Sequence, residues 1–362
     1  MAVPRAVVPL DGGRLLVAGQ EGLVLVIEDG KRRSRPFLDI STRIDGPTAG
    51  YLELGMPGFA LAPDFATSGR FYTFATLPPR ADDPEGSVRV DTLSRWRADP
   101  TSLIADPKSR EDLLAVPRPM ADHVAGEIVF DASGRLYTAF GAESFSATAQ
   151  DPNDLAGKVI RIDPRQPGDA NTPYGIPDDN PYAAGGGRKE IFSSGYRNPW
   201  RLAWTGDLGL LVGSAMFTDK PQQLNAPRPG DNAGYPEVRT ACWVAGAVSQ
   251  ACRTTAAGAA ITPPVLEYGV QVGTILSGVA PITGGATDNP LRGQVLVADW
   301  SGSVLAAQPG QAPWPFRNVL LPKDVHNRSQ HLWDLAAGPD GSVYALITAK
   351  SMTSGKVVHL AP

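Results

Sequence analysis

Histidine and cysteine are scarce in this sequence: four and two residues in a chain of 362. Two cysteines cannot make a disulfide-dense scaffold. Cys242 and Cys252 stand ten residues apart, without the close pairing that zinc and redox motifs show. They either close a small disulfide loop, which implies an oxidising compartment, or are two unrelated buried thiols. No Cys-x-x-Cys-His occurs, so haem of the c type is excluded and any electrons leave to a separate partner. No apolar run approaches the roughly 18 residues of a membrane span. Met1-Ala2-Val3-Pro4 shows no charged segment leading into an apolar one, so the expectation is a cytoplasmic protein or one read after a removed signal. Basic patches are missing too, and the net charge is −4, which argues against nucleic acid as a partner. No stretch reads as a long amphipathic helix.

Turn-forming residues are plentiful instead, with 39 Gly and 34 Pro, and the hydrophobic fraction of 42% suffices for a real core. One phrase recurs: a Gly/Asp turn, then a short alternating strand. It appears at Leu10-Asp11-Gly12-Gly13 running into Leu15-Leu16-Val17-Ala18, and at Ala62-Pro63-Asp64-Phe65 running into Gly69-Arg70-Phe71-Tyr72. It returns at Phe130-Asp131-Ala132-Ser133-Gly134-Arg135-Leu136-Tyr137 and at Trp204-Thr205-Gly206-Asp207-Leu208-Gly209-Leu210. Looser and cleaner copies follow at Leu291-Arg292-Gly293-Gln294-Val295 and Gly338-Pro339-Asp340-Gly341-Ser342-Val343. Asp-Gly supplies the positive φ of a tight turn, and the β-branched and aromatic residues that follow suit a pleated, half-buried surface. Six copies favour an all-β, six-bladed propeller of four-stranded antiparallel blades over a pair of β-sandwiches. Residues 1–362 then form a single domain, with insertions in the rim loops.

Propellers carry function in the loops around the central channel. The loop before the third copy holds Asp122 beside His123, followed by Gly126. Imidazole is the neutral base available near pH 7. Neighbouring strand residues point oppositely, so any contact of Asp122 with that ring needs a loop conformation. The loop before the fourth copy reads Gly195-Tyr196-Arg197-Asn198-Pro199-Trp200. Arg197 offers a fixed charge for an oxyanion or carboxylate, and Asn198 offers donor and acceptor together. An Asp-His surface turn and an Arg stacked on Trp200 are the plainer alternatives.

Six segments form an ordered set: Gly55-Met56-Pro57-Gly58-Phe59-Ala60-Leu61-Ala62-Pro63-Asp64-Phe65, the Asp122-His123 loop, Gly157-Lys158-Val159-Ile160-Arg161, Asp179-Asn180-Pro181-Tyr182, Gly195-Tyr196-Arg197-Asn198-Pro199, and Pro229-Gly230-Asp231-Asn232-Ala233-Gly234-Tyr235-Pro236. Together they resemble the glucose/sorbosone dehydrogenase family, soluble quinoproteins that use pyrroloquinoline quinone with calcium. The resemblance implies that His123 takes the proton of a sugar hydroxyl while hydride passes to the quinone. It makes Asp122 the orienter of His123, Arg197 the group that polarises the quinone oxygen, and Asn198 a cofactor contact. The expected partners are a sugar-like small molecule and an external electron acceptor, and the expected location is secreted or periplasmic.

The chain departs from that pattern around the quinone's carboxylates. An Arg-x-Arg is replaced by His331-Leu332-Trp333, a Lys falls near Ser301, and a Gln of the first segment falls at Leu54. Arg328, His331 and Trp333 are the cofactor-binding candidates that remain. The calcium loop aligns with Ala215-Met216-Phe217-Thr218, and its later acidic pair with Gln222-Gln223, leaving Asp219 as a nearby carboxylate. A competing reading keeps the propeller without the quinone. It is then a module for glycan, small molecule or protein, or an enzyme whose His123, His326 and His331 converge on a metal.

Overall fold

The computed structural model describes the chain except residues 2, 45–52, 144–146, 169–171, 287, 320–328, 339 and 361–362. Each of the six repeated phrases is the turn between the first and second strands of one antiparallel sheet. The first sheet joins Pro4–Pro9, Leu15–Gly19, Leu23–Glu28 and Lys31–Arg32, with Leu38–Asp39 also on Leu23–Glu28. The second runs Gly58–Leu61, Arg70–Leu77, Arg89–Asp99, Ile104–Arg118, and the third Val129–Phe130, Leu136–Phe140, Lys158–Ile162, Ile191–Ser193. The fourth is Asn198–Thr205, Gly209–Ala215, Gln222–Asn225 and Leu266–Tyr268; the fifth Leu276–Pro281, Val295–Asp299, Val304–Ala307 and Phe316–Val319. Gln330–Ala337, Val343–Ala349 and Gly355–Leu360 make the sixth, three-stranded among the described residues. These are the blades of a six-bladed propeller.

The Asp of the phrase works as a local organiser. Asp131 Oδ1 accepts from the backbone N–H of Ser133 (2.9 Å) and Arg135 (2.9 Å) and from the Ser133 hydroxyl (2.7 Å). That closes the turn before a strand can pair. Alternation then fills the seams between blades. Val24 and Leu16 of the first blade pack with Phe71 and Trp96 of the second. Phe74 meets Phe140 and Ile160 in the next seam, and Tyr137, Leu202 and Val212 fill the one after. Leu224 and Val297 join blades four and five, and Leu296 and Ile347 join five and six. Val7 and Val17 of blade one with Leu346 of blade six close the ring. Each such side chain is worth about 1.5–3 kcal/mol when fully buried, so the ring is held by every seam, including the one that joins the chain's two ends.

Between Gln222–Asn225 and Leu266–Tyr268 the fourth blade carries an insertion. It contains the small hairpin Trp243–Val244 with Ala247–Val248. Cys242 and Cys252 are disulfide-bonded there, buried against Val238 and Ile261. Glu267 reaches over to accept the backbone N–H groups of Cys242 (2.9 Å) and Trp243 (2.7 Å). No helix among the described residues is long and apolar enough to cross a membrane.

Candidate active site

The first strands of blades two to six begin on one face of the ring, and their leading residues enclose a cavity of about 440 Å³. Glu53 precedes blade two, and Asp122 with His123 precedes blade three. Arg197 and Asn198 open blade four, Ile275 and Ser277 blade five, and Trp333 lies on the first strand of blade six. Trp200, Trp300, Trp333 and Phe217 make much of the wall aromatic.

His123 occupies a left-handed backbone conformation, φ 54°, as does Ala125. A non-glycine residue there is strained, and such strain collects at sites of function. The loop conformation is what lets Asp122 and His123 face the same cavity. The ring is 4% exposed, and Nδ1 lies 2.6 Å from the carbonyl oxygen of Ala142. That partner can only accept, so the neutral imidazole is assigned a proton on Nδ1, leaving the lone pair on Nε2. Asp122 Oδ2 stands 3.8 Å from Nε2, beyond hydrogen-bond reach. The group that fixes the ring is therefore the Ala142 carbonyl. Asp122, expected as the orienter, flanks the other nitrogen. Ala142 in turn donates its N–H to the Arg197 carbonyl (2.7 Å), which ties the base loop to blade four. Gly141 has room for no side chain: a Cβ would stand 2.2 Å from the His123 carbonyl oxygen.

Arg197 lies over the Phe217 ring at 4.2 Å and donates from Nη1 to the carbonyls of Ala215 (3.3 Å) and Met216 (3.2 Å). Burial draws its pKa below the usual arginine value, while Tyr235, Glu53 and Asp122 hold it up. Asn198, 2% exposed, donates from Nδ2 to Glu53 Oε2 (3.2 Å), which also accepts the Val124 N–H (2.8 Å). Glu53 thus couples Asn198 to the loop that carries His123. It was missed in the sequence, where attention fell on the neighbouring Leu54. Leu54 is buried in the core between blades two and three.

Beneath the cavity lies a charged layer. Arg201 pairs with Asp334 (3.2 Å) and lies 3.7 Å from Glu127. It also donates to the carbonyls of Ser277 (2.6 Å) and Trp333 (2.9 Å). The Arg5 guanidinium lies 4.7 Å from Trp200 and 4.1 Å from Trp333, with its pKa lowered to about 9 by burial and then by Arg201. Burial raises Asp334 well above the ordinary carboxylate value against the pull of Arg201, and raises Glu127 likewise.

Of the expected cofactor contacts, Arg197, Asn198 and Trp333 line the cavity. His331 does not; its ring packs tilted against Trp300, with centroids 4.2 Å apart. Arg328 and His326 lie outside the described residues, so the three-histidine metal centre rests on a residue without a described position. Among the described residues no three His, Cys, Asp or Glu side chains group as metal ligands. Asp219 is 71% exposed and paired with Lys220 at 2.8 Å.

Five buried polar atoms around the cavity have no hydrogen-bond partner among the described residues: Arg197 Nε, Asn198 Oδ1, Trp300 Nε1, Trp333 Nε1 and Asp122 Oδ1. Buried polar atoms are rarely left so. Three donors on aromatic walls fit a flat ring bearing carbonyl oxygens. The fit to carboxylates is thinner. Among the described lining residues Arg197 is the one permanent cation, with Glu53 and Asp122 the carboxylates that act on it.

This geometry agrees with what sequence comparison shows. The sequence model of the Glucose / Sorbosone dehydrogenase family matches residues 1–358, and the chain belongs to that family. Aldose sugar dehydrogenase YliI of Escherichia coli K12 is 34% identical over 188 residues, 50% of this chain and 46% of that protein. The chain thus spans about half the length of that curated relative. Among solved structures, the soluble aldose sugar dehydrogenase of Escherichia coli, in its apo form, superposes with a TM-score of 0.77 at 23% identity, covering 99% of this chain and 96% of that one. The PQQ-bound aldose sugar dehydrogenase of Streptomyces coelicolor gives 0.73 at 20%, covering 99% and 94%. At these identities the solved structures speak for the propeller fold.

Proposed function

We propose that the chain is a pyrroloquinoline-quinone-dependent dehydrogenase acting on a hydroxyl of an aldose or a similar small molecule, with His123 as general base. The observation that carries this is the set of orphaned polar atoms on an aromatic-walled cavity that also holds the Nε2 face of His123. Arg197, Asn198 and Trp333 would hold the quinone. When bound, the quinone supplies the acceptor for the hydride leaving the substrate carbon. The chain's own work is to take the hydroxyl proton on Nε2, with Ala142 keeping the Nδ1 proton in place. Arg197 sits where it can favour negative charge developing on a bound oxygen. Electrons then pass to an external acceptor. The disulfide supports an extracytoplasmic location.

The test is addition of quinone to the purified protein, read by thermal shift and by dye reduction with a panel of aldoses. Binding must raise Tm. Each charge-assisted bond lost from the carboxylates costs about 1.5–3 kcal/mol, on the order of 10- to 100-fold in affinity, so the shift is expected only at high quinone. No shift at saturating quinone sinks the proposal. It would favour the second reading, a propeller that binds another small molecule, for which the two carboxylates Glu53 and Asp122 beside one guanidinium already speak.

A further inference from the structure

We propose that the cavity wall formed by residues 215–220 is braced by the Gln222 amide and the Arg197 guanidinium in the role that a divalent cation serves in a carbonyl-rich loop. The fold and cavity then stand without calcium. The inference does not depend on which ligand the cavity takes.

Gln222 is fully buried, at 0% exposure. Its Nε2 donates to the carbonyls of Phe217 (3.1 Å) and Lys220 (3.2 Å), so two carbonyl oxygens of one loop converge on a single nitrogen. Convergent carbonyl oxygens are what calcium seeks, at 2.3–2.6 Å and usually with carboxylates among its ligands. Here an NH₂ group stands at that point, and its two protons are spent on the two oxygens. Oε1 of the same side chain accepts the N–H of Met216 (3.0 Å), and more weakly that of Leu276 (3.3 Å) across in blade five. Two further carbonyls of the wall, Ala215 and Met216, already accept from Arg197 Nη1.

Four carbonyls of the loop are therefore turned to donors, two of them to a fixed positive charge. A cation entering here would have to displace the amide and sit beside the guanidinium. The segment's one carboxylate, Asp219, is turned out to Lys220. These residues do not fit calcium, although the resemblance implies it for this segment. An amide in place of a carboxylate at this position makes a cation cradle into a self-satisfied one. It exchanges an acceptor that needs a metal for a donor that replaces it.

The experiment is thermal unfolding of the native chain in EDTA and in calcium chloride, with elemental analysis of protein passed through metal-free buffer. The expected result is one Tm in both solutions and no retained calcium. A Tm that falls in EDTA and returns with calcium overturns the proposal. Gln222→Ala should lower Tm by about 2 °C or more; an unchanged Tm would show that the amide braces nothing. Gln222→Glu should acquire a Tm that calcium raises above its value in EDTA. A folded Gln222→Glu indifferent to calcium would deny that the amide stands in a cation's place. If that variant does not fold, the native chain and Gln222→Ala decide the matter.

Discussion

His123 combines three local facts: a left-handed backbone, near-complete burial and an Nδ1 pinned to a carbonyl. Alanine would leave the Ala142 carbonyl unmatched. Asparagine tolerates the positive φ and can still donate to it. His123→Asn should therefore keep stability within about 1 kcal/mol and lower quinone-dependent dye reduction by about 10²-fold or more; parallel Tm and initial-rate measurements check both. The polar residues of this site were legible because His123, Arg197 and Asn198 interrupt turn sequences at blade entries. Glu53 was not, because Leu52-Glu53-Leu54 carries no turn signal and a slip of one residue exchanges a cavity side chain for a core one.

Asp334 belongs to the same scale and makes a pH prediction. Its folded pKa is raised by burial, so above the ordinary carboxylate value the folded chain holds a proton that the unfolded chain has lost. Stability then falls as pH rises through that window, until the folded pKa is passed. Asp334→Asn should flatten this part of the curve, measured as Tm against pH from the mildly acidic range upward. A slope unchanged in the variant would assign the effect elsewhere, with Glu127, raised for the same reason, next in line. The Arg201–Asp334 pair could not be read from sequence, because its members lie on different blades and buried charge is explained only by its partners.

At the scale of elements, the six turn phrases carried the architecture because each closes locally, as the Asp131 turn does. The outer strands were much less visible. Lys31–Arg32 is two exposed residues long and shows no alternation, so the strand count of a blade cannot be read from such a piece. The insertion in blade four was legible only as a Gly- and Ala-rich stretch with two cysteines, its disulfide one of two open readings. Its core is small: Val238, Ile261 and the two sulfurs. The cross-link should therefore matter more to the insertion than to the ring. Cys242→Ser with Cys252→Ser should cost the insertion about 2–4 kcal/mol. Limited proteolysis with mass spectrometry should find new cleavage between residues 239 and 262, while the main unfolding transition moves little. Cleavage elsewhere first would mean that the insertion supports the ring.

For the whole molecule, the closing seam and the cavity are one construction. Val7 packs with Val17 and Leu346 where blade one meets blade six. Two residues earlier on the same strand, Arg5 lies between Trp200 and Trp333, and both of those rings line the cavity. Opening the seam must therefore disturb the site, because Trp200 and Trp333 belong to both, although Val7, Val17 and Leu346 do not line the cavity. Val7→Asp places an unpaired carboxylate at a position 7% exposed, at a cost of several kcal/mol. Val88→Asp, at 44% exposure, is the control and should stay within about 0.5 kcal/mol. The expected outcome is a lower and broader unfolding transition for Val7→Asp, together with weaker quinone binding, while the control keeps both. Weakened stability with undiminished binding would separate the cavity from the ring closure. A native-like Val7→Asp would show that the other five seams hold the propeller without the sixth.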